Sequence, residues 1–291
     1  MTDETVDSVL EWVRSYIEGR GIRDICWTFY GGEPLLNMDQ MVRLGYGLKE
    51  VCEQNSLGYS TRIVTNGSLL NSEIIRLLGD LNLTHIQITL DGPREVHDLR
   101  RCFSDGTGSF DTILTNITLL RSSVARFTLR INVDRDTILT VTELLDELAT
   151  RKPLDPSSIC LEIHPVFDWN WQSEGCGSVI PDKEFQQIAD LYRYGLARGF
   201  KIAHPGALHY CSAMCCNAFE IAPSGDIYGC PIFTSSKNND FILGRVDKED
   251  FNPVYFKLMT TELNDEECMK CAYFPLCQID RKSTRLNSSH G

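Results

Sequence analysis

The sequence lacks any long uninterrupted run of apolar residues, and it is poor in basic residues. No stretch approaches the roughly 18 apolar residues of a membrane-spanning helix, and the start MTDETVDSV has neither the basic flank nor the apolar run of a secretory signal. With 28 Lys and Arg against 40 Asp and Glu, the formal charge of −12 provides no broad basic field for a nucleic-acid backbone. We therefore expect a soluble cytoplasmic protein with no membrane and no nucleic-acid partner.

Helical and strand patterns alternate through the first half of the chain. An amphipathic helix comes first, with Thr2 and Asp3 as candidate caps. Five helix–strand units can be counted, with the strands IRDICWTFY, TRIVT, HIQITL, RFTLRINV and ICLEIHPV. This alternation predicts a parallel sheet covered by helices, open or curled into a barrel, whose ligands bind beyond the carboxyl ends of the strands.

Twelve cysteines are many for an intracellular chain, because a reducing cytosol does not sustain structural disulfides. Five are scattered among apolar segments, where cysteine usually behaves as a small buried hydrophobe: Cys26, Cys52, Cys102, Cys160 and Cys176. The other seven lie in the last third, after a predicted helix from Pro181 to Arg198 beyond which apolar periodicity fades. The last third is therefore where a metal site is expected.

Three strand ends carry motifs in a characteristic order: WTFYGGEPLLN, TNGSLL and ITLDGPREVHDLRR. In that order they resemble the core of radical S-adenosylmethionine (radical SAM) enzymes. The resemblance implies an α/β fold, a partial (β/α)6 TIM-like barrel of parallel strands with the first strand missing. It also implies that the GGEP strand end binds the amino group of S-adenosylmethionine through Gly31, Gly32, Glu33 and Pro34. Thr89 and Arg101 are candidates for the cofactor carboxylate; the alternatives are a plain strand residue and a solvated surface charge.

The C-terminal cysteines resemble the SPASM domain of the same enzymes, a small cysteine-rich α+β domain that holds two auxiliary [4Fe–4S] clusters. The likeness rests on Gly225-x4-Cys230, on the C-x2-C-x5-C run that starts at Cys268, and on SGDIY as a hairpin. The implied metal ligands are Cys211, Cys215, Cys230, Cys268, Cys271 and Cys277, with Cys216 as a rival of Cys215. Each set lacks one ligand: Arg281 stands where one cysteine is expected, and the other is expected further on, where the foreign tail stands. A structural zinc site is the alternative.

The resemblance divides the chain into a radical SAM core at 1–170, a linker and helix at 171–205, a SPASM domain at 206–280 and a foreign or disordered tail at 281–291. Enzymes of this family hold their catalytic cluster on a CxxxCxxC loop, and no such motif occurs in this sequence. We therefore expect a chain truncated at both ends, with the core cluster site absent, the auxiliary sites incomplete and no activity as it stands.

The implied function is modification of a peptide or protein by hydrogen abstraction, with a flavodoxin or ferredoxin as electron donor. A sulfatase-maturating enzyme would carry Asp directly after the cysteine matched by Cys230. This chain has Pro231, which favours maturation of a ribosomally made peptide. A non-catalytic peptide-binding module with a metal-stapled C-terminal domain is the alternative from another class. The histidines show no ligand spacing, and His97 and His164 are predicted to be ordinary polar residues.

Overall fold

The computed structural model describes residues 1–120, 126–166, 182–202, 217–231, 234 and 241–248. The chain divides into two compact units: one comprises Ile22–Phe167 and Ser178–Pro205, and the other Met1–Gly21, Asp168–Gly177 and Gly206–Gly291. Within the described ranges, none of the helices combines the length and apolar character needed to cross a bilayer.

The larger unit is built on a six-stranded sheet whose strands follow one another in chain order, each parallel to the next. The strands are β1 (Asp24–Phe29), β2 (Gly58–Thr65), β3 (Leu83–Thr89), β4 (Phe127–Val133), β5 (Ile159–Pro165) and β6 (Lys201–Ile202). The helices of this unit, numbered after the α1 helix described below, are α2 (Met38–Gln54), α3 (Ser72–Asp80), α4 (Arg94–Arg100), α5 (Phe110–Ile117), α6 (Val141–Thr150) and α7 (Asp182–Ala197). This order confirms the predicted α/β class with a parallel sheet.

The helices form because their apolar residues recur at helical spacing and bury one face. In α6 the buried side chains are Val141, Leu144, Leu145 and Leu148, which is the i, i+3, i+4, i+7 pattern of a single stripe. A side-chain cap starts α3, where Asn71 Oδ1 accepts from the Ile74 amide at 2.9 Å. The helices pack on the sheet, since α2 contacts β1 and β2, α3 contacts β3, and α7 contacts β5.

The two faces of the sheet differ in character because side chains alternate along each strand. One face is apolar and buried; it includes Ile63, Ile86, Ile88, Leu129, Ile131, Leu161 and Ile163. The other, called the polar face below, consists of Arg62, His85, Gln87, Thr89, Arg130, Asn132, Glu162 and His164, which are register partners or next-but-one neighbours. Helices cover the apolar face, so function is expected on the polar one.

The smaller unit contains α1 (Asp3–Ile17) and three short antiparallel strands, β7 (Glu220–Ile221), β8 (Asp226–Tyr228) and β9 (Gly244–Arg245). Trp12 and Tyr16 of α1 stack on each other and meet the edge of Phe219, and the Tyr16 hydroxyl donates to Asn217 Oδ1 at 2.8 Å. The turn between β7 and β8 places Gly225 at φ +88°, a conformation that favours glycine. The hairpin predicted from SGDIY is thus confirmed.

Several sequence expectations are refined by the structure. The predicted helices agree with α1, α2, α3, α5, α6 and α7 to within a few residues, but α4 and the short β6 were not predicted. Thr2 caps α1 as expected, through its Oγ1 and the Thr5 amide at 3.3 Å. The expectation of buried cysteines holds for Cys52 and Cys160 but is wrong for Cys26 and Cys102, which are exposed because Cys26 lies on the edge strand β1 and Cys102 lies in the loop after α4. Cys176 lies outside the described residues. The predicted domain boundaries stay a prediction.

The packing of the apolar face yields a stability prediction. Leu129 lies on the central strand β4 and is 1% exposed, whereas Leu139 is 73% exposed. Leu129→Ala is expected to lower the free energy of unfolding by about 2–5 kcal/mol, since it removes buried methyl groups and leaves a cavity. Leu139→Ala, the same change at an exposed site, is expected to stay within about 0.5 kcal/mol. Urea denaturation of both variants measures this, and equal effects would contradict the packing described.

Candidate cofactor site

The carboxyl ends of the parallel strands lie at one edge of the sheet, and the candidate residues cluster there. The register pairs Phe29 with Ile63, Thr65 with Ile88, and Thr89 with Arg130, so that the ends of β1 to β4 follow one another across the sheet. Ligands of such folds bind beyond this edge. The structure therefore places the GGEP turn after β1 and Thr89 and Asp91 at the end of β3, at the same edge of the sheet with the end of β2 between them, as the sequence led us to expect.

The GGEP turn leaves its backbone open. Gly31 has φ +140°, which an L side chain rarely adopts, and a Cβ built on Gly31 or Gly32 would meet no atom within 4 Å. Both glycines are exposed, and Pro34 starts a short 3-10 helix that ends at Asn37. The turn therefore presents accessible peptide groups in a conformation that depends on glycine at position 31.

Glu33 is committed to contacts within the protein. Its Oε1 accepts from the Thr65 hydroxyl at 2.7 Å and from the Leu35 amide at 3.1 Å, while Oε2 accepts from the Asn66 amide at 2.7 Å. The carboxylate thus ties the end of β1 to the end of β2. A carboxylate has about four acceptor positions, so one on Oε2 remains for a further donor.

Thr89 stands out because its side chain is nine-tenths buried, with 8% exposure, yet its hydroxyl has no hydrogen-bond partner among the described residues. Buried polar groups are normally hydrogen-bonded. The hydroxyl lies on the polar face at the end of β3, in one row with Arg130 of β4 and Glu162 of β5. A buried hydroxyl without a partner fits a site that a ligand completes.

Asp91 is the centre of the network beyond β3, with only 4% exposure. Its Oδ2 accepts from Arg101 Nε at 2.6 Å, and its Oδ1 accepts from the Asn132 side-chain amide at 2.9 Å and the Asn132 backbone amide at 3.2 Å. These charge-assisted bonds compensate the buried carboxylate. Arg101 is therefore held at the site and is no free surface charge, while its terminal nitrogens have no partner among the described residues.

Sequence reasoning missed three members of this site: Arg130, Asn132 and Glu162. Arg130 Nε donates to Asn132 Oδ1 at 2.9 Å, and its Nη1 donates to Glu162 Oε1 at 3.1 Å. Their signal was visible as polar residues at every second position of otherwise apolar strands. His97 was also missed. It is fully buried, and burial lowers its pKa, although the nearby Asp91 carboxylate acts in the opposite direction.

Other strand-end residues have structural duties. Asp134 Oδ1 accepts from the Thr137 amide at 3.1 Å and its hydroxyl at 3.0 Å, which closes the turn after β4. Asn66 Oδ1 accepts from the Ser68 amide at 2.8 Å, and Asn116 of α5 anchors the Gly67 carbonyl at 2.9 Å. These side chains stabilise the turns at the edge of the sheet through hydrogen bonds within the protein.

The predicted cysteine ligands fall mostly outside the described residues: Cys211, Cys215, Cys268, Cys271 and Cys277, together with the rival Cys216. Cys230 is described; it is buried and follows the β8 strand. Within the described ranges, no three His, Cys, Asp or Glu side chains come close enough to hold a metal ion. The ligand assignments for the C-terminal part therefore stay a prediction.

The fold and the site together define an α/β protein with a parallel sheet, a glycine turn at the carboxyl edge of that sheet and a polar face. The family model described as "Radical SAM superfamily" matches residues 1–148, which is more than half of the chain. The chain belongs to the radical SAM superfamily. S-adenosylmethionine and [4Fe–4S] clusters are the cofactors of this superfamily, and several curated relatives of this chain are named maturating enzymes.

Curated relatives are similar at low identity. The cysteine-type anaerobic sulfatase-maturating enzyme of Clostridium novyi is 23% identical over 286 residues, covering 91% of this chain and 75% of that protein. The radical SAM cyclopropyl synthase TigE of Paramaledivibacter caminithermalis is 26% identical over 201 residues, covering 68% of this chain and 39% of that protein. This chain is thus similar to sulfatase maturases along most of its length.

Solved structures share the fold. The structure of anSMEcpe with bound AdoMet superposes with a TM-score of 0.71 at 20% identity, covering 96% of this chain and 76% of that chain. Streptococcus suis SuiB superposes with a TM-score of 0.61 at 13% identity, covering 94% of this chain and 65% of that chain. At these identities the likeness establishes the barrel-type fold alone.

The bonds of Glu33 yield a prediction about the strand ends. Glu33→Gln keeps the shape but replaces one acceptor oxygen by an NH2 group, so at least one of the Thr65, Leu35 and Asn66 donors loses its partner. We expect a loss of about 1–3 kcal/mol in the free energy of unfolding. Glu53→Gln, at an exposed position of α2, is the matched control and should change little. A Glu33 variant as stable as the control would contradict the tie between β1 and β2.

Proposed function

We propose that this chain carries the cofactor-binding and substrate-binding parts of a radical SAM peptide or protein maturase, with S-adenosylmethionine bound at the carboxyl ends of β1 to β3. The observation that carries the proposal is the nine-tenths-buried Thr89 hydroxyl, which has no hydrogen-bond partner among the described residues and lies at the same edge of the sheet as the open Gly31–Gly32 backbone. A small ligand with several polar groups could hydrogen-bond both to the Thr89 hydroxyl and to the exposed peptide groups of the turn. The neighbour anSMEcpe carries bound AdoMet, which supports this choice of ligand.

Each candidate residue has a role in the proposed site. The Gly31 and Gly32 peptide groups and the remaining acceptor position on Glu33 receive the ammonium group of the cofactor, and Pro34 fixes the direction of the turn. The Thr89 hydroxyl and the terminal nitrogens of Arg101 donate to the cofactor carboxylate. These roles use only groups that have no partner among the described residues.

The residues present do not fit a catalytic iron–sulfur cluster. In this superfamily a [4Fe–4S] cluster coordinates S-adenosylmethionine and supplies the electron that cleaves it. The sequence has no CxxxCxxC motif, and the described part of the chain offers no group of three metal-binding side chains. We therefore assign no radical-forming step to this polypeptide. Binding of cofactor and substrate is what its own residues support.

A peptide or protein is the proposed substrate, and the polar face is its proposed location. Arg130, Asn132 and Glu162 line that face, partly exposed, with 28% and 31% of the Arg130 and Glu162 side chains accessible. SuiB has been solved bound to the precursor peptide SuiA, and MftC of Mycobacterium tuberculosis, named a mycofactocin maturase, is 24% identical over 275 residues. A flavodoxin or ferredoxin is the proposed electron donor for a complete enzyme.

Sulfatase maturation is the second candidate, favoured by the coverage of the Clostridium novyi relative. Pro231 after Cys230 argues against it, because a carboxylate expected at that position is absent. Peptide maturation therefore stands first. Equilibrium dialysis of a cysteine-containing sulfatase peptide against this chain separates the two candidates: binding would favour sulfatase maturation, and no binding would favour maturation of another peptide.

Binding of S-adenosylmethionine tests the proposal directly. Thr89→Val replaces the hydroxyl by a methyl group of similar size, and we expect the dissociation constant of S-adenosylmethionine to rise about 5- to 10-fold, as for one lost hydrogen bond. Equilibrium dialysis under anaerobic conditions measures this without turnover. Arg76→Gln, at a surface position with 72% side-chain exposure, is the control and should bind like the wild type. Unchanged binding by Thr89→Val would remove Thr89 from the site.

The proposed SPASM-type domain makes a separate prediction. Anaerobically prepared protein is expected to contain iron and acid-labile sulfide, and Cys230→Ser or Cys268→Ser should lower both, since cluster irons prefer thiolate ligands. Cys102→Ser, at an exposed cysteine outside the proposed ligand set, is the control. Zinc without labile sulfide would instead establish a structural zinc site.

A further inference from the structure

His97, Ser109, Arg101 and Asp91 form a closed ring of hydrogen bonds behind the proposed cofactor site. The Asp91 amide donates to His97 Nδ1 at 3.2 Å, His97 Nε2 lies 3.0 Å from Ser109 Oγ, and Ser109 Oγ donates to the Arg101 carbonyl at 2.5 Å. Arg101 Nε then donates to Asp91 Oδ2 at 2.6 Å. The ring uses both nitrogens of a histidine that is 0% exposed.

The loop from Arg101 to Ser109 folds back on itself and so brings Ser109 to His97, which closes this ring. An antiparallel bridge joins Cys102 and Gly108, which turns the chain back towards α4. Gly108 lies against the Asp98 carboxylate, which a Cβ there would approach to 2.0 Å. Asp98 Oδ1 accepts from the Phe110 amide at 2.9 Å and so fixes the start of α5. Ser109 is thereby returned to the side of His97.

The hydrogen bonds permit a single arrangement of protons. An amide only donates, so His97 Nδ1 must accept and the ring proton must reside on Nε2. Nε2–H then donates to Ser109 Oγ, and the hydroxyl proton is left for the Arg101 carbonyl. Burial lowers the pKa of His97, which agrees with a neutral ring. The ring of bonds is therefore directional and fully satisfied.

This ring constrains Arg101 at three points. Its amide donates to the His97 carbonyl at 2.8 Å, its carbonyl accepts from Ser109, and its Nε is bound to Asp91. The only donors left are its terminal nitrogens, which have no partner among the described residues. A flexible arginine is thus reduced to a guanidinium held in one direction, which lowers the entropy lost when it binds an anion.

We propose that His97 and Ser109 are positioning residues that orient the Arg101 guanidinium towards the carboxylate of the cofactor. The inference rests on the proposed function, in which Arg101 binds that carboxylate. Neither His97 nor Ser109 touches the cofactor; both act through Arg101. Their loss is therefore expected to weaken a ligand only where the ligand carries the carboxylate.

The test compares S-adenosylmethionine with decarboxylated S-adenosylmethionine, whose sulfonium and amino groups are retained while the carboxylate is lost. Dissociation constants are measured by anaerobic equilibrium dialysis for the full chain, for Arg101→Gln, His97→Phe, Ser109→Ala and Ser109→Thr, and for the double variant of Arg101→Gln with His97→Phe. Thermal unfolding of each variant checks that it is folded. Ser109→Ala removes one hydroxyl and carries the test where His97→Phe fails to fold, while Ser109→Thr restores the hydroxyl as the matched control.

We expect Arg101→Gln to weaken S-adenosylmethionine about 10- to 100-fold, as for a lost charge-assisted hydrogen bond. His97→Phe and Ser109→Ala should each weaken it about 3- to 10-fold, a part of the same interaction. All three should bind the decarboxylated ligand within about 2-fold of the wild type, Ser109→Thr should recover wild-type affinity, and the His97→Phe effect should vanish on the Arg101→Gln background.

Two failures are distinguishable. If Arg101→Gln weakens S-adenosylmethionine but Ser109→Ala and His97→Phe do not, or if they weaken both ligands equally, the positioning role is wrong and the proposed cofactor site stands. If Arg101→Gln binds S-adenosylmethionine like the wild type, or if the wild-type chain binds neither ligand, the cofactor role of Arg101 fails, and this inference fails with it.

Discussion

The nearly buried carboxylate of Asp91 is the constraint on which the site depends. A charge with 4% exposure is tolerated only when donors surround it. The donors come from two directions: Arg101 lies just past α4, and Asn132 belongs to β4. One carboxylate therefore fixes the loop after β3 against the neighbouring strand. Asn132 Oδ1 in turn accepts from Arg130 Nε, and Arg130 Nη1 donates to Glu162 on β5. The hydrogen-bond network that starts at Asp91 therefore extends across the ends of three strands.

Glu33 plays the corresponding part between β1 and β2. Parallel strands leave their last amides without ladder partners at the carboxyl edge, and Glu33 accepts from the Asn66 amide and the Thr65 hydroxyl there. The resemblance to radical SAM enzymes assigned Glu33 to the cofactor. In the structure its described contacts lie within the protein, where they tie the end of β1, next to the Gly31–Gly32 turn, to the end of β2. A residue of a binding motif can thus be required because of the shape it imposes on the backbone.

The sequence allowed the fold to be predicted because each element has a local signal. The buried apolar stripe of α6 and the helix caps at Thr2 and Asn71 each involve residues that are close together in the sequence. The GGEP, TNG and DGP strand ends were equally visible. The network of Asp91 was not, because its bonds join positions 10 and 41 residues apart, which only the sheet register brings together. His97 shows the same limit, since its spacing to Asp91 and Ser109 has no meaning until the loop after α4 is folded back.

The distribution of committed and open groups at this edge argues for the kind of ligand it takes. The carboxylates of Asp91 and Glu33 accept most of their hydrogen bonds from donors within the protein. In contrast, the Thr89 hydroxyl and the terminal nitrogens of Arg101 lack partners among the described residues. These two open groups of the described residues can both donate, and donors at a half-buried edge favour an anionic group. The glycine turn contributes what the side chains do not, namely accessible carbonyls for a cation. A zwitterionic ligand with a carboxylate and an ammonium group on one carbon uses both, which is the amino-acid end of S-adenosylmethionine.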